Sequence, residues 1–178
     1  MPLHHIVRHQ VSDTEWDLIR RAQGRLLETQ LYVDDTSQAS LAHIVKASEE
    51  DLLWLYPGRS VDESLKAWAA MGPRFCVATL GERGALAMLG SDRIAVPAPR
   101  IEVADTVGAG DSFMSALLSA MDRDAALGAG SKAPGRADLE RWLRFAASAS
   151  AITCTRRGSD PPTLGEVELA LGAVERGR

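Results

Sequence analysis

A chain of 178 residues is the right size for one ordinary domain, or for a small domain with an appendage. With 46% hydrophobic and 25% charged residues it can bury a core, which excludes a disordered chain. The formal net charge of −4 argues against a general binder of nucleic acid or of anionic membranes, so neither is expected as a partner.

Residues 13–28, "DTEWDLIRRAQGRLLE", have the spacing of an amphipathic helix, with Trp16, Ile19, Ala22, Leu26 and Leu27 on one side and Ser12 or Asp13 as cap. A short strand "LYV" (31–33) follows, then the polar "DDTSQAS" and a second strand "AHIVKA" (42–47). "SEEDLLWLY" opens with a serine cap and acidic residues suited to the positive end of a helix, and Pro57-Gly58 stops it. A further helix spans 60–71 and ends at Gly72-Pro73. The period then changes. "RFCVATL" (74–80) is apolar on both faces, as in the buried middle of a sheet, and "GERG" (81–84) is a turn. "ALAML" (85–89) and "RIAVPA" (93–98) read as strands. Helices are predicted at 111–121, at 137–155 with small residues along one side, and at 164–174, with a Gly/Ala loop at 122–136. Strands alternating with helices imply an α/β layered fold with a largely parallel sheet.

No signal peptide or membrane-length apolar run is found, so a cytoplasmic chain is expected. Cys76 and Cys154 lie in apolar stretches and read as buried small hydrophobes of a reducing compartment. His4, His5 and His9 have no Cys or carboxylate at ligand spacing, so no metal site is expected there. The arginine pairs at 20–21 and 156–157 read as solvated surface.

The stretch "VADTVGAGDSFMSALLSAM" (103–121) carries the chemistry. Gly108 and Gly110 allow tight packing and present successive N–H groups at a helix start, where unpaired donors and the helix dipole favour an anion. Such a nest can hold a phosphate or stabilise a phosphoryl group in flight. Asp111 stands at the same place, where surrounding donors keep a carboxylate ionised and able to deprotonate an attacking hydroxyl. A cradle and a base on one turn suit phosphoryl transfer to an alcohol. The same residues also fit a plain turn followed by a capped helix, and the spacing alone does not choose.

"DTVGAGDSF" resembles the C-terminal signature of the PfkB-type (ribokinase-like) carbohydrate kinases. The resemblance implies Asp111 as catalytic base and Gly108, Ala109 and Gly110 as anion hole. It also places Asp105 and Val107 by a monovalent-cation loop. "TLGERG" looks like the family's nucleotide-lining turn, with Thr79, Gly81 and Gly84 at the matching positions. "VKASEEDLLWLYPG" is similar to the segment that carries the family's Asn-x-x-Glu motif and helps manage magnesium and phosphates. Those positions hold Ser48 and Asp51 here, a departure that points toward fructokinase-like members. "FAASASAITCTRRGSDPPT" looks like the adenine-side helix and loop. The resemblance implies the C-terminal portion of a three-layer α/β/α fold with an incomplete central sheet, and ATP, Mg²⁺ and K⁺ as ligands beside a sugar substrate.

That likeness covers about residues 43–178. Residues 2–42 instead resemble a segment of the DnaB-type replicative helicases, between their two nucleotide motifs, with a helix opening "SDTEW" and a strand closing "LYVDDT". No Gly-x-x-x-x-Gly-Lys-[Ser/Thr] occurs, so helicase activity is not expected. The join falls between about Thr36 and Ile44. Nothing in 1–42 matches the sugar-binding half of a kinase. Weak or absent sugar turnover is therefore expected, with an exposed sheet edge through which the chain could self-associate.

Overall fold

The computed structural model describes residues 44–127, 131 and 133–176. The helix expected at 13–28 and the strand at 31–33 lie outside the described residues, as do the three N-terminal histidines. The chain divides into Met1–Ser40 and Leu41–Arg178, and all that follows concerns the second unit.

The unit begins with β1 (Ile44–Ser48), α1 (Glu49–Leu55) and α2 (Val61–Ala69). Both helices are started by serine. Ser48 Oγ accepts from the Asp51 N–H at 3.0 Å while Asp51 Oδ2 accepts from the Ser48 N–H at 3.0 Å. Ser60 and Glu63 repeat the reciprocal arrangement at 3.3 and 2.8 Å. Three strands follow: β2 (Phe75–Thr79), β3 (Ala85–Leu89) and β4 (Asp92–Val96), with a single 3₁₀ turn (Gly81–Arg83) between the first two. The helices α3 (Ala109–Arg123), α4 (Arg136–Cys154) and α5 (Leu164–Arg176) complete it.

The strands form one sheet in the order β1-β2-β3-β4. The expectation of a largely parallel sheet is corrected here: β1 and β2 are parallel, but β2–β3 and β3–β4 are antiparallel. The cause is local. A parallel neighbour needs a crossover of a dozen or more residues, which α1 and α2 supply between β1 and β2. Only Leu80–Gly84 separates β2 from β3, and only Gly90-Ser91 separates β3 from β4, so those pairs must be hairpins.

Strand alternation divides the core into two layers. Phe75, Val77, Ala85, Ala87, Ile94 and Val96 face α3, α4 and α5, packed with Phe113, Leu117, Leu139, Trp142 and Leu143. Cys76, Ala78, Leu86 and Met88 face the other way, onto Leu52 of α1 and Leu65 of α2. Helices thus cover both sides of the sheet, a three-layer α/β/α arrangement. Each large apolar side chain fully removed from water contributes about 1.5–3 kcal/mol. The small side of α4, including Ala146, Ala149 and Thr153, is buried and lets α3 pack along it. Cys76 is buried as expected, which pushes its thiol up to about 11, whereas Cys154 is half-buried.

Gly84 shows how tightly the hairpin is built. Its φ is +94°, and a β-carbon there would meet Val96 O at 2.1 Å and Ala98 N at 2.6 Å. Both the dihedral and the backbone contact demand glycine. Gly84→Ala is expected to cost about 2 kcal/mol and to lower the thermal midpoint by about 4–8 °C. An unchanged midpoint in a thermal melt would contradict the packing described.

Candidate functional site

β1 and β2 run parallel and end in register at Ser48 and Thr79, so one end of the sheet carries both carboxyl termini. Ligands of open α/β sheets bind outside this end. The glycine turn comes to the same region. Lys46, two residues before the end of β1, reaches α3: a β-carbon placed on Gly110 would come within 3.1 Å of its Nζ.

The helix expected from Asp111 starts two residues earlier, at Ala109. Gly108 is its N-cap in the left-handed conformation, with φ +79°, and accepts from the Ser112 N–H at 2.8 Å. Asp111 is therefore in the first turn, where its side chain is solvent-exposed. Of the three residues expected to form an anion hole, Ala109 turns its N–H to Thr106 O at 3.2 Å. Among the described residues the N–H groups of Gly110 and Asp111 donate to no protein acceptor. These are the donors left open by helix geometry.

The turn is held from behind by α4 and the loop after it. Ala104 and Asp105 donate their N–H groups to Cys154 O, at 2.8 and 3.2 Å, which satisfies a carbonyl at the end of α4. Asp105 Oδ1 accepts from the N–H groups of Thr106 and Val107 at 2.7 and 3.1 Å, and its Oδ2 accepts from the Gly158 N–H at 2.8 Å. These bonds, led by the one from Gly158, hold the carboxyl below its usual range. Ser150 Oγ donates to Ala109 O at 3.0 Å, and the Ser112 and Thr153 hydroxyls pair at 2.8 Å under the turn. Ser159 closes the wall. A β-carbon on Gly108 would sit 2.3 Å from its Oγ.

The remaining sequence-predicted residues are distributed around this turn. Ser48 and Asp51 lie just beyond Lys46, joined in the α1 capping box. The bonds from Ser48 and then the nearby Lys46 charge hold the Asp51 carboxyl down. Thr79 Oγ1 lies 3.5 Å from Ala47 O, bridging the ends of β1 and β2. Gly81, with φ +58°, has open space where a side chain would stand, and the turn it begins is tied to α1 by the Arg83–Glu49 ion pair. Gly84 instead packs against the chain leaving β4, away from open space. Val107 is exposed beside Asp105. Sequence reasoning missed Lys46, Gly158 and Ser159. Lys46 carried a signal, a charge inside an apolar strand, whereas the loop residues carried none.

The layered fold is that of the ribokinase-like structures. A fructokinase double mutant from Vibrio cholerae O395, with fructose, ADP and potassium ion bound, superposes with a TM-score of 0.61 at 28% identity, over 75% of this chain and 41% of that one. Aminoimidazole riboside kinase from Salmonella enterica, complexed with aminoimidazole riboside and an ATP analogue, gives 0.63 at 27% identity, over 74% and 43%. The family model for pfkB family carbohydrate kinases matches residues 13–164, and the chain belongs to that family. The match begins at residue 13, well before the boundary near residue 43 expected from the sequence, and so enters the stretch expected there to be helicase-like. Fructokinase-1 from Oryza sativa subsp. japonica is 35% identical over 130 residues, 72% of this chain and 38% of the relative. The chain thus spans about two fifths of the length of the curated relatives it matches. Among the described residues no helix is long and apolar enough to cross a membrane.

The Asp105 bonds have a pH signature. A carboxyl whose folded value is depressed stabilises the fold fully above its unfolded value of about 3.9, and the contribution is lost as pH falls through the folded value. Asp105→Asn is expected to lower the thermal midpoint at neutral pH, and the gap to the parent chain should close below about pH 4. A gap that stays constant into that acid range would contradict the clamp.

Proposed function

We propose that the chain carries the phosphoryl-transfer end of an ATP-dependent sugar kinase, with a fructose-like hexose as acceptor. The observation that carries this reading is the turn at 105–111. Open N–H groups of Gly110 and Asp111 stand beside an exposed carboxylate and a lysine ammonium, at the carboxyl end of two parallel strands. The fructokinase likeness supports the choice of acceptor.

In this reading the open amides of Gly110 and Asp111 hold the anionic group in place, at a helix start whose dipole favours negative charge. Asp111 accepts the proton of the sugar hydroxyl, and the exposed position leaves it open to a substrate. Gly81 and Thr79 line the nucleotide side. Magnesium, when bound with the nucleotide, supplies divalent charge between the phosphates. Ser48 and Asp51 are the residues that would hold it, and Asp51 Oδ1 lies outside the capping bond. Asp105, its carboxylate engaged by three N–H groups, shapes the loop that would take a potassium ion. Activity of the complete kinases is longer-chain chemistry, so a second reading stands beside the first: Mg-ATP binding without transfer, as a module spanning about two fifths of its relatives. The position of β1 at one end of the strand order also supports self-association along its outer edge.

Two measurements separate these readings. A thermal melt with Mg-ATP is expected to show a raised midpoint, because only native-state binding raises it. A coupled assay with fructose is expected to show weak turnover at most, and whatever turnover the parent has is expected to fall about 10²–10⁴-fold in Asp111→Asn. Binding with no phosphorylated sugar supports the second reading, and a variant as fast as the parent overturns the role of Asp111.

A further inference from the structure

The arginine pair at 156–157, expected from the sequence as solvated surface, is split by the fold. Arg157 is exposed, whereas the Arg156 side chain is only 26% exposed and lies along the loop that joins α4 to α5. Its Nη2 pairs with Glu166 Oε1 in the first turn of α5. Its Nη1 lies 3.5 Å from the carbonyls of both Asp160 and Pro161, and 3.6 Å from Asp160 Oδ2. Glu166 uses its other oxygen on α5 itself: Oε2 accepts from the Thr163 N–H at 2.7 Å and from the Thr163 hydroxyl at 2.9 Å. One carboxylate thus caps a helix with one oxygen and anchors a guanidinium with the other.

The loop needs that anchor. Ser159, Asp160 and Pro161 are exposed, so burial does not hold this stretch in place. Gly158 has φ +75° with open space where a side chain would stand, and the Asp160 N–H returns to the Gly158 carbonyl at 3.1 Å. This small turn is what touches the site. The Gly158 N–H donates to Asp105 Oδ2 at 2.8 Å, and Ser159 lies against Gly108. A guanidinium suits the task because its donors diverge in a fixed plane and reach a carboxylate and two carbonyls at once.

We infer that Arg156 is a positioning residue of the transfer site: anchored on Glu166, it holds the 158–160 turn against Asp105 and Gly108. It touches no substrate itself. The turn that it backs carries the open amides of Gly110 and Asp111, and a loop free to leave Asp105 would let those amides shift. Misplacement of a binding group by an ångström is costly even when its cause lies far from the chemistry. The assignment rests on the kinase reading above and adds to it a support that begins at α5.

The test compares the full chain with Arg156→Met, Arg156→Lys and Arg157→Met, by ¹⁵N–¹H spectra and by calorimetry with Mg-ATP. In Arg156→Met the Gly158 amide signal is expected to move upfield as its bond to Asp105 loosens, while the Thr163 signal, still capped by Glu166, stays in place. Affinity for Mg-ATP should fall about threefold to thirtyfold. The thermal midpoint should drop by no more than about 4 °C, because a partly exposed ion pair contributes little to global stability. Arg156→Lys keeps the charge and loses the fork, so it should show both changes to a smaller degree, and it carries the test if Arg156→Met does not fold. Arg157→Met should match the parent. A merely structural arginine would lower the midpoint and move Thr163 along with Gly158, with Mg-ATP affinity unchanged. If the parent binds Mg-ATP and the Arg156 variants bind it equally well, or bind it more weakly with Gly158 in place, the assignment is overturned and the kinase reading stands. A parent that does not bind Mg-ATP overturns both.

Discussion

The site depends on one docking contact: the carbonyl of Cys154, at the end of α4, receives the N–H groups of Ala104 and Asp105. A helix end leaves carbonyls without partners, and a loop leaves amides without partners. Here each satisfies the other. The contact fixes where the 105–111 turn begins, and the Asp105 carboxylate then binds the following loop through Gly158. Since α3 starts from that turn, its direction along α4 is set by the same contact, as are the positions of the amides at its start.

The glycines of the turn follow from this docking. Gly108 must adopt a left-handed conformation with Ser159 against it, so no side chain fits. Gly110 has a different constraint. Its conformation is ordinary, and what a side chain would meet is the end of Lys46. One glycine therefore serves the backbone and the other leaves room for a charge. The sheet brings that charge in, because Lys46 lies two residues before the end of β1 and its ammonium reaches Gly110. Open, solvent-facing N–H groups beside a lysine ammonium are favourable for a site that receives an anion.

Much of the architecture could be read from residue patterns with a local cause. Ser48 announced its helix because capping is a short-range bond, and "ALAML" appears as a strand with the boundaries expected. The direction of the strands was misread, since alternation of strands and helices suggested crossovers while the short links at Leu80–Gly84 and Gly90-Ser91 already required hairpins. At the site, the Gly-Ala-Gly-Asp stretch stood out, but its division of labour did not. That Ala109 spends its N–H on Thr106, that Gly84 serves packing against Val96 and Ala98, and that Ser48 and Asp51 bond each other are outcomes of three-dimensional contact. Lys46 sits in the quoted segment "VKAS", yet only the approach of α3 gives it a neighbour. Gly158 and Ser159 act across a sequence distance of some fifty residues, which no local pattern encodes.

The central claim is that the start of α3 receives a phosphate, and amide resonances report on this directly. In a ¹⁵N–¹H spectrum of the full chain, Mg-ATP is expected to move the Gly110 and Asp111 signals downfield as their N–H groups gain a charged acceptor. The Thr106 and Gly158 signals, already bonded to Asp105, should move little. Saturating Mg-ATP that shifts other residues while leaving Gly110 and Asp111 in place would contradict the account.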